Sequence, residues 1–134
     1  MTTPSGMQRM TIQQALDQID LLKPNMFPVE QKVQWLSEVD RMVWYEIYQT
    51  HEGLPPESHF EGYDQGTDTS VELLVPEPYT DVYKHYMATM MDLANAEQGK
   101  YMQDKSLFNA AYQTFGDFWR RTHMPIIRRK HIRF

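Results

Sequence analysis

No cysteine occurs among the 134 residues. That excludes a disulfide framework, a zinc–thiolate site and a cysteine nucleophile, and it is compatible with a reducing interior. Glycine is scarce, at six residues, and none is spaced as G-x-G or G-x-x-x-x-G-K, so no phosphate-cradling loop is expected. No apolar run approaches the length of a transmembrane helix. The opening residues Met1-Thr2-Thr3-Pro4-Ser5-Gly6 lack a charged stretch followed by an apolar one, so no secretion signal is expected. Internal repeats and low-complexity tracts are absent as well.

Large apolar side chains are plentiful. Three Trp, eight Tyr and six Phe make 13% of the chain, with ten Met beside them. Such side chains each bury a large area, so one sizeable core is possible at this length. The formal net charge of −5 argues against a general nucleic-acid binder, but the charge is sorted. Residues 1–54 carry −3, residues 55–81 carry −7 with no cation at all, and residues 82–134 carry +5. Segments of opposite sign often face different partners.

Residues 1–10 are polar and predict a flexible arm. Thr11 with Gln14 forms a capping-box pattern, and Ile12, Leu16, Ile19 and Leu22 follow at helical spacing, which predicts a helix over 12–22. Lys23-Pro24-Asn25 ends it. Pro28 suits the first turn of a second helix, whose stripe is Val29, Val33, Leu36, Val39, Val43 and Ile47. Trp35, Met42, Trp44 and Tyr48 widen that stripe, so this helix should touch several neighbours. Residues 52–78 hold four of the eight prolines and three of the six glycines. They predict a long loop in which Ser70–Val75 forms a short strand or extended segment. A third helix opens at Pro78 with Tyr79, Val82, Tyr83, Tyr86, Met90 and Leu93 inward. A fourth spans about 97–121, with Tyr101, Phe108, Ala111, Tyr112, Phe115, Phe118 and Trp119 inward.

Little of this suggests catalysis. Asp81 and His85 share a helix face, where a carboxylate can orient an imidazole, but no nucleophile or Glu-x-x-His pair accompanies them. A surface acid beside a surface histidine is the simpler account. His51 and His59 are too far apart in sequence for the usual zinc pattern. Asp17/Asp20 and Glu38/Asp40 have the spacing of solvated helix faces. The Tyr/Phe stripes have no interleaved cations, so they predict core rather than a base-stacking platform.

Two electrical features remain. The acidic segment carries Glu57, Glu61, Asp64, Asp68, Glu72, Glu77 and Asp81. It is either a solvated loop or a surface presented to a partner or a lumen. The tail 126–134 interleaves Ile126, Ile127, Ile132 and Phe134 with Arg128, Arg129, Lys130 and Arg133. It is either a frayed end or a docking peptide, since such apolar groups are unfavourable in water unless something covers them.

Several strings resemble a family encoded by tailed bacteriophages and prophages of Gram-positive bacteria. They are Lys23-Pro24-Asn25, Glu30-Gln31-Lys32-Val33-Gln34-Trp35-Leu36-Ser37-Glu38 and Glu72-Leu73-Leu74-Val75-Pro76-Glu77-Pro78-Tyr79, followed by Asp92-Leu93-Ala94-Asn95-Ala96-Glu97, Phe108-Asn109-Ala110-Ala111-Tyr112 and Arg121-Thr122-His123-Met124-Pro125. The resemblance covers roughly residues 10–125. It implies a small α-helical structural protein similar to head–tail adaptors (connectors), which form a ring beneath the portal. The implied partners are the portal protein, tail-side neck or completion proteins and further copies of the chain. Double-stranded DNA would be transiting cargo only; no cofactor, metal, catalytic residue or membrane is implied. Localisation would be the virion, with the host cytoplasm during assembly.

The expectation is therefore an all-α domain of about four helices packed as a small bundle, with a long acidic loop or small β-hairpin between the second and third. The arm would be 1–10, the body 11–125 with its acidic loop at 52–78, and the basic docking tail 126–134. The rival expectation is a small helical regulatory or nucleic-acid-binding protein that uses Arg128, Arg129, Lys130 and Arg133.

Overall fold

The computed structural model describes residues 7–53 and 59–126. It is mostly helical, with one small two-stranded antiparallel ribbon. In order, the elements are β1 (Arg9–Thr11), α1 (Ile12–Leu22), α2 (Val29–Val43), a π-helical turn (Trp44–Tyr48), β2 (Glu72–Pro76), α3 (Asp81–Ala94) and α4 (Gln98–Thr122).

The capping box forms as expected. The Thr11 hydroxyl accepts from the Gln14 amide at 3.1 Å, and the Gln14 side chain accepts from the Thr11 amide at 2.9 Å. Pro28 occupies the N-cap of α2 rather than its first turn. The ring supplies no donor at a position where none is needed. The α2 stripe is buried from Val33 through Val43, while Val29 is half exposed at the helix start. At Trp44 the helix widens: the Gln49 amide donates to the Trp44 carbonyl, five residues back, at 2.9 Å. That wider turn places Trp44, Ile47 and Tyr48 all inward.

The strand pairing departs from a local hairpin. β2 lies within the expected extended stretch, but it pairs with β1 near the chain start, with Arg9 opposite Pro76, Thr11 opposite Glu72 and a bulge between. Main-chain bonds continue the seam beyond the strands, from the Ile12 amide to the Val71 carbonyl at 3.0 Å and from the Glu77 amide to the Gln8 carbonyl at 2.7 Å. Residues 9 and 10, expected in a flexible arm, thus form part of the ribbon, with Met10 buried. A single edge partner drawn from a distant segment satisfies backbone groups that a lone strand would leave open.

α3 turns a slightly different face inward than its periodicity predicts. Val82, Tyr83, Met87 and Met91 are fully buried, Tyr86 and Met90 are half-buried, and Leu93 is exposed. α4 runs back antiparallel along α3 and buries Phe108, Phe115 and Trp119. Tyr101, Ala111, Tyr112 and Phe118 are half-buried. Aromatic contacts lock α4 to the rest: Tyr48 lies 4.5 Å from Trp119, Tyr79 stacks on Phe118 at 4.7 Å, and Tyr86 meets Phe108 edge-on at 5.1 Å.

Candidate interaction surfaces

The acidic connection between α2 and α3 is held to the body by a buried carboxylate. Asp40 sits on the inward face of α2 with no exposed surface, not on a solvated face as its pairing with Glu38 predicts. Its position explains this: it lies four residues after Leu36 and three before Val43, within the apolar stripe itself. Tyr83 donates to Oδ1 at 2.6 Å, while Tyr63 at 2.5 Å and the Leu74 amide at 3.0 Å donate to Oδ2. Tyr83 also accepts from the Val75 amide at 2.8 Å, and Tyr48 donates to the Leu74 carbonyl at 2.6 Å. One carboxylate therefore ties α2, α3, β2 and the loop around Tyr63 together. Burial pushes Asp40 up to about 6, against the opposing pull of its donors and of Arg9.

The described acids of the segment mostly shape the loop. Asp64 accepts from the Gly66 amide at 2.8 Å, and Asp68 accepts from the Ser70 amide at 2.9 Å. The latter bond holds Asp68 below the ordinary carboxylate range. Glu77 accepts from the Thr80 hydroxyl at 2.7 Å. Glu61 is freely exposed and lies 3.3 Å from His59, and Glu72 is half-buried in β2 with Oε1 lacking a hydrogen-bond partner. Gly62 takes a positive φ of 96° so that the chain can pass closely over Ser37 and Arg41, where a Cβ would collide at 2.6 Å. Together these contacts make residues 59–81 a strap across the body, with Glu61, Asp64, Asp68, Glu77 and Asp81 on its outer side. Glu57 lies outside the described residues.

Of the basic tail, Ile126 alone is described. Its amide donates to the Thr50 carbonyl at 2.9 Å, just beyond the bridge between His51 and Pro125. The tail thus leaves beside the π-helical turn. Ile127, Arg128, Arg129, Lys130, Ile132, Arg133 and Phe134 lie outside the described residues. Arg120 and Arg121 in the last turn of α4 add exposed positive charge at this end.

The opposite end carries features that the sequence does not announce. Leu21, Leu22, Met26, Leu93 and Met102 are all largely exposed there, Met26 at 98%. Asp92 of α3 is fully buried and bonds to Lys23, which also lies 3.6 Å from Asp104 of α4. The second oxygen of Asp92 has no hydrogen-bond partner. Burial, then the bond and charge of Asp92, push Asp104 above the ordinary carboxylate range. Two carboxyls here share one lysine.

The Asp81–His85 pairing does not form as a unit. Asp81 lies 3.3 Å from Lys84, while burial and then Lys84 hold His85 below the ordinary imidazole range. His51 meets the Thr50 hydroxyl at 2.8 Å, and His59 meets Glu61, so these two histidines face separate neighbours. Among the described residues no group of three or more His, Asp or Glu side chains is placed to hold a metal ion. No described helix is long and apolar enough to cross a membrane.

The structure defines a small, mostly helical protein with a two-stranded antiparallel ribbon. Compared with known proteins, the chain matches no protein-family model, no curated protein and no solved structure.

Proposed function

We propose that the protein is a structural subunit of a tailed-phage head–tail adaptor, which forms a ring joining portal to tail and lets DNA pass. The observation that carries this reading is the molecule's polarity. A tail bearing four cations leaves one end, an acidic strap lies across the flank, and an exposed apolar corner closes the other end. Surfaces of different chemistry at opposite ends suit head-to-tail association, which closes into rings when the rotation permits. Carboxylates on the strap would repel the phosphates of passing DNA if the strap lines the lumen. The strings that resemble the adaptor family include Trp35, Leu73, Asp92 and Phe108 of the buried interior.

The test is completion of tail-less heads by the purified protein. The full chain should bind such heads and restore tail attachment, and removal of residues 127–134 should abolish this while helix content is unchanged. A second reading has its own support, because Arg120 and Arg121 lie at the same end as the cationic tail. If the chain instead binds duplex DNA with steep salt dependence and ignores heads, a nucleic-acid-binding role replaces the adaptor.

A further inference from the structure

A groove crosses the face formed by α1, α3 and α4. It consists of three adjoining depressions of about 380, 290 and 300 Å³. Lys23 lines the first and second, while His85 and Leu107 line the second and third, so the three form one path. Leu22 and Leu107, both substantially exposed, wall its middle. The Lys23–Asp92–Asp104 cluster lies at the same point. Lys84 also faces the groove but is matched by Asp81, and Lys23 is bonded to the buried Asp92 behind the groove wall, so Asp104 is the groove carboxyl that must share its cation. From Tyr79 to Asn95 it follows α3 for about 24 Å.

The tail has the matching pattern. Residues 127–134 carry three large apolar side chains and four cations, and eight extended residues span about 26–29 Å. A molecule's own tail would have to run almost fully extended and cross α4 to make this fit. It leaves beside Thr50, on the side of α4 where Tyr112 donates to Glu46 and Trp119 stacks on His123. The groove lies along the other side, at Asp104, Leu107, Ala111 and Thr114. From Thr122 to Asp104 is about 27 Å along the helix, and the path must also cross a helix about 10 Å wide. Arg128 is two residues past the anchored Ile126, a reach of about 7 Å, and Arg133 at full stretch reaches about 25 Å.

We propose that the tail of one copy seats in the α1–α3–α4 groove of the next, apolar residues against Leu22 and Leu107 and a cation on Asp104, whose share of Lys23 is taken up by the buried Asp92. This deepens the adaptor reading by naming the contact between successive subunits. A guanidinium or ammonium group there would balance the second carboxyl, and the isoleucines and Phe134 would act as anchors.

The test uses full-length chains, unlabelled and 15N-labelled, mixed with Phe134 replaced by the photo-cross-linker p-benzoylphenylalanine. Mass spectrometry after irradiation should find cross-links joining heavy to light chains, from position 134 to the segments around Leu22 or Leu107. Leu107→Arg, at an exposed site, should lower their yield at least tenfold. Ile132→Ser should do the same from the tail side. Cross-links confined within one chain, cross-links to the acidic strap, or none up to the solubility limit would each overturn the proposal. Because no phage component is present, failure here leaves the adaptor reading to the head-completion assay.

Discussion

Asp40 and Asp92 are both fully buried aspartates on helices, yet they are answered differently. Asp40 receives three neutral donors from three elements, and both of its oxygens are engaged. Asp92 bonds to a single lysine that it shares with Asp104, and one of its oxygens has no partner. A buried carboxylate saturated with donors behaves as part of the framework, because removing it strands every donor at once. Asp92 instead takes up the lysine beside the groove, and Asp104, which lines the groove and must share that lysine, is suited to a donor that arrives from outside. Around Asp40 the molecule is thus closed on itself, whereas at the α1–α3–α4 groove two carboxyls share one lysine.

Truncation is the most direct way to break the comparison. Asp40→Ala leaves the Tyr63 and Tyr83 hydroxyls and the Leu74 amide unpaired in the interior. At about 1–3 kcal/mol for each stranded group, partly relieved by rearrangement, the expected loss is about 3–5 kcal/mol. Urea denaturation at neutral pH measures it. A loss under about 1 kcal/mol would show that the knot is dispensable.

Acid titration gives the next largest effect. Asp40 titrates at about 6 in the folded protein against an ordinary carboxylate value of 3.8. Its folded pKa is raised, so its contribution to stability is fully present below the unfolded pKa and is lost as pH rises through about 6. The difference corresponds to about 2.4 kcal/mol between pH 4 and pH 7.5. Asp104 is shifted in the same direction, while the opposite effect comes from the largely solvated Asp20 and Asp68 and from the partly buried His85, whose lowered pKa works against folding as pH falls. Urea midpoints should therefore be higher at pH 5 than at pH 7.5, and Asp40→Asn should flatten that slope. A wild-type midpoint that falls steadily from pH 7.5 to 5 would contradict the assignment.

Much of the framework was legible in the residues. The capping box, the bounds of α1 and the stripe of α2 follow from local spacing, and local spacing is what forms them. The ribbon was half legible. β2 has the composition of an extended segment, but its partner lies about sixty residues earlier, and no local pattern encodes a pairing between distant segments. Asp40 was legible in principle, because a carboxylate at the core phase of an apolar stripe is unlikely to be solvated. The donors that settle its role come from three other elements. The groove was illegible for the same reason: Lys23, Asp92 and Asp104 meet only once α1, α3 and α4 are packed. The acidic strap shows the limit of composition. Its prolines, glycines and uncompensated acids predict a long loop, but composition does not show that this loop packs back on the body, with Leu73 and Val75 fully buried and Asp64 and Asp68 closing its turns.

The smallest stability change should come from Asp92→Asn, and its value lies in separating stability from assembly. The amide oxygen can still accept from Lys23, and the new NH2 can donate to Asp104 where two carboxyls now compete. Side-chain volume is nearly unchanged, so no cavity opens. The expected stability change is within ~1 kcal/mol in either direction, much less than for Asp40→Ala. The charge of the groove, however, changes by one unit: Lys23 then balances Asp104 and no carboxyl is left in excess. An incoming cation loses the partner that the proposed docking assigns to it. Heavy-to-light cross-linking from position 134 should therefore fall severalfold while the urea midpoint stays near wild type. If Asp92→Asn instead unfolds the protein as Asp40→Ala does, both buried aspartates belong to the framework and the contrast between them disappears.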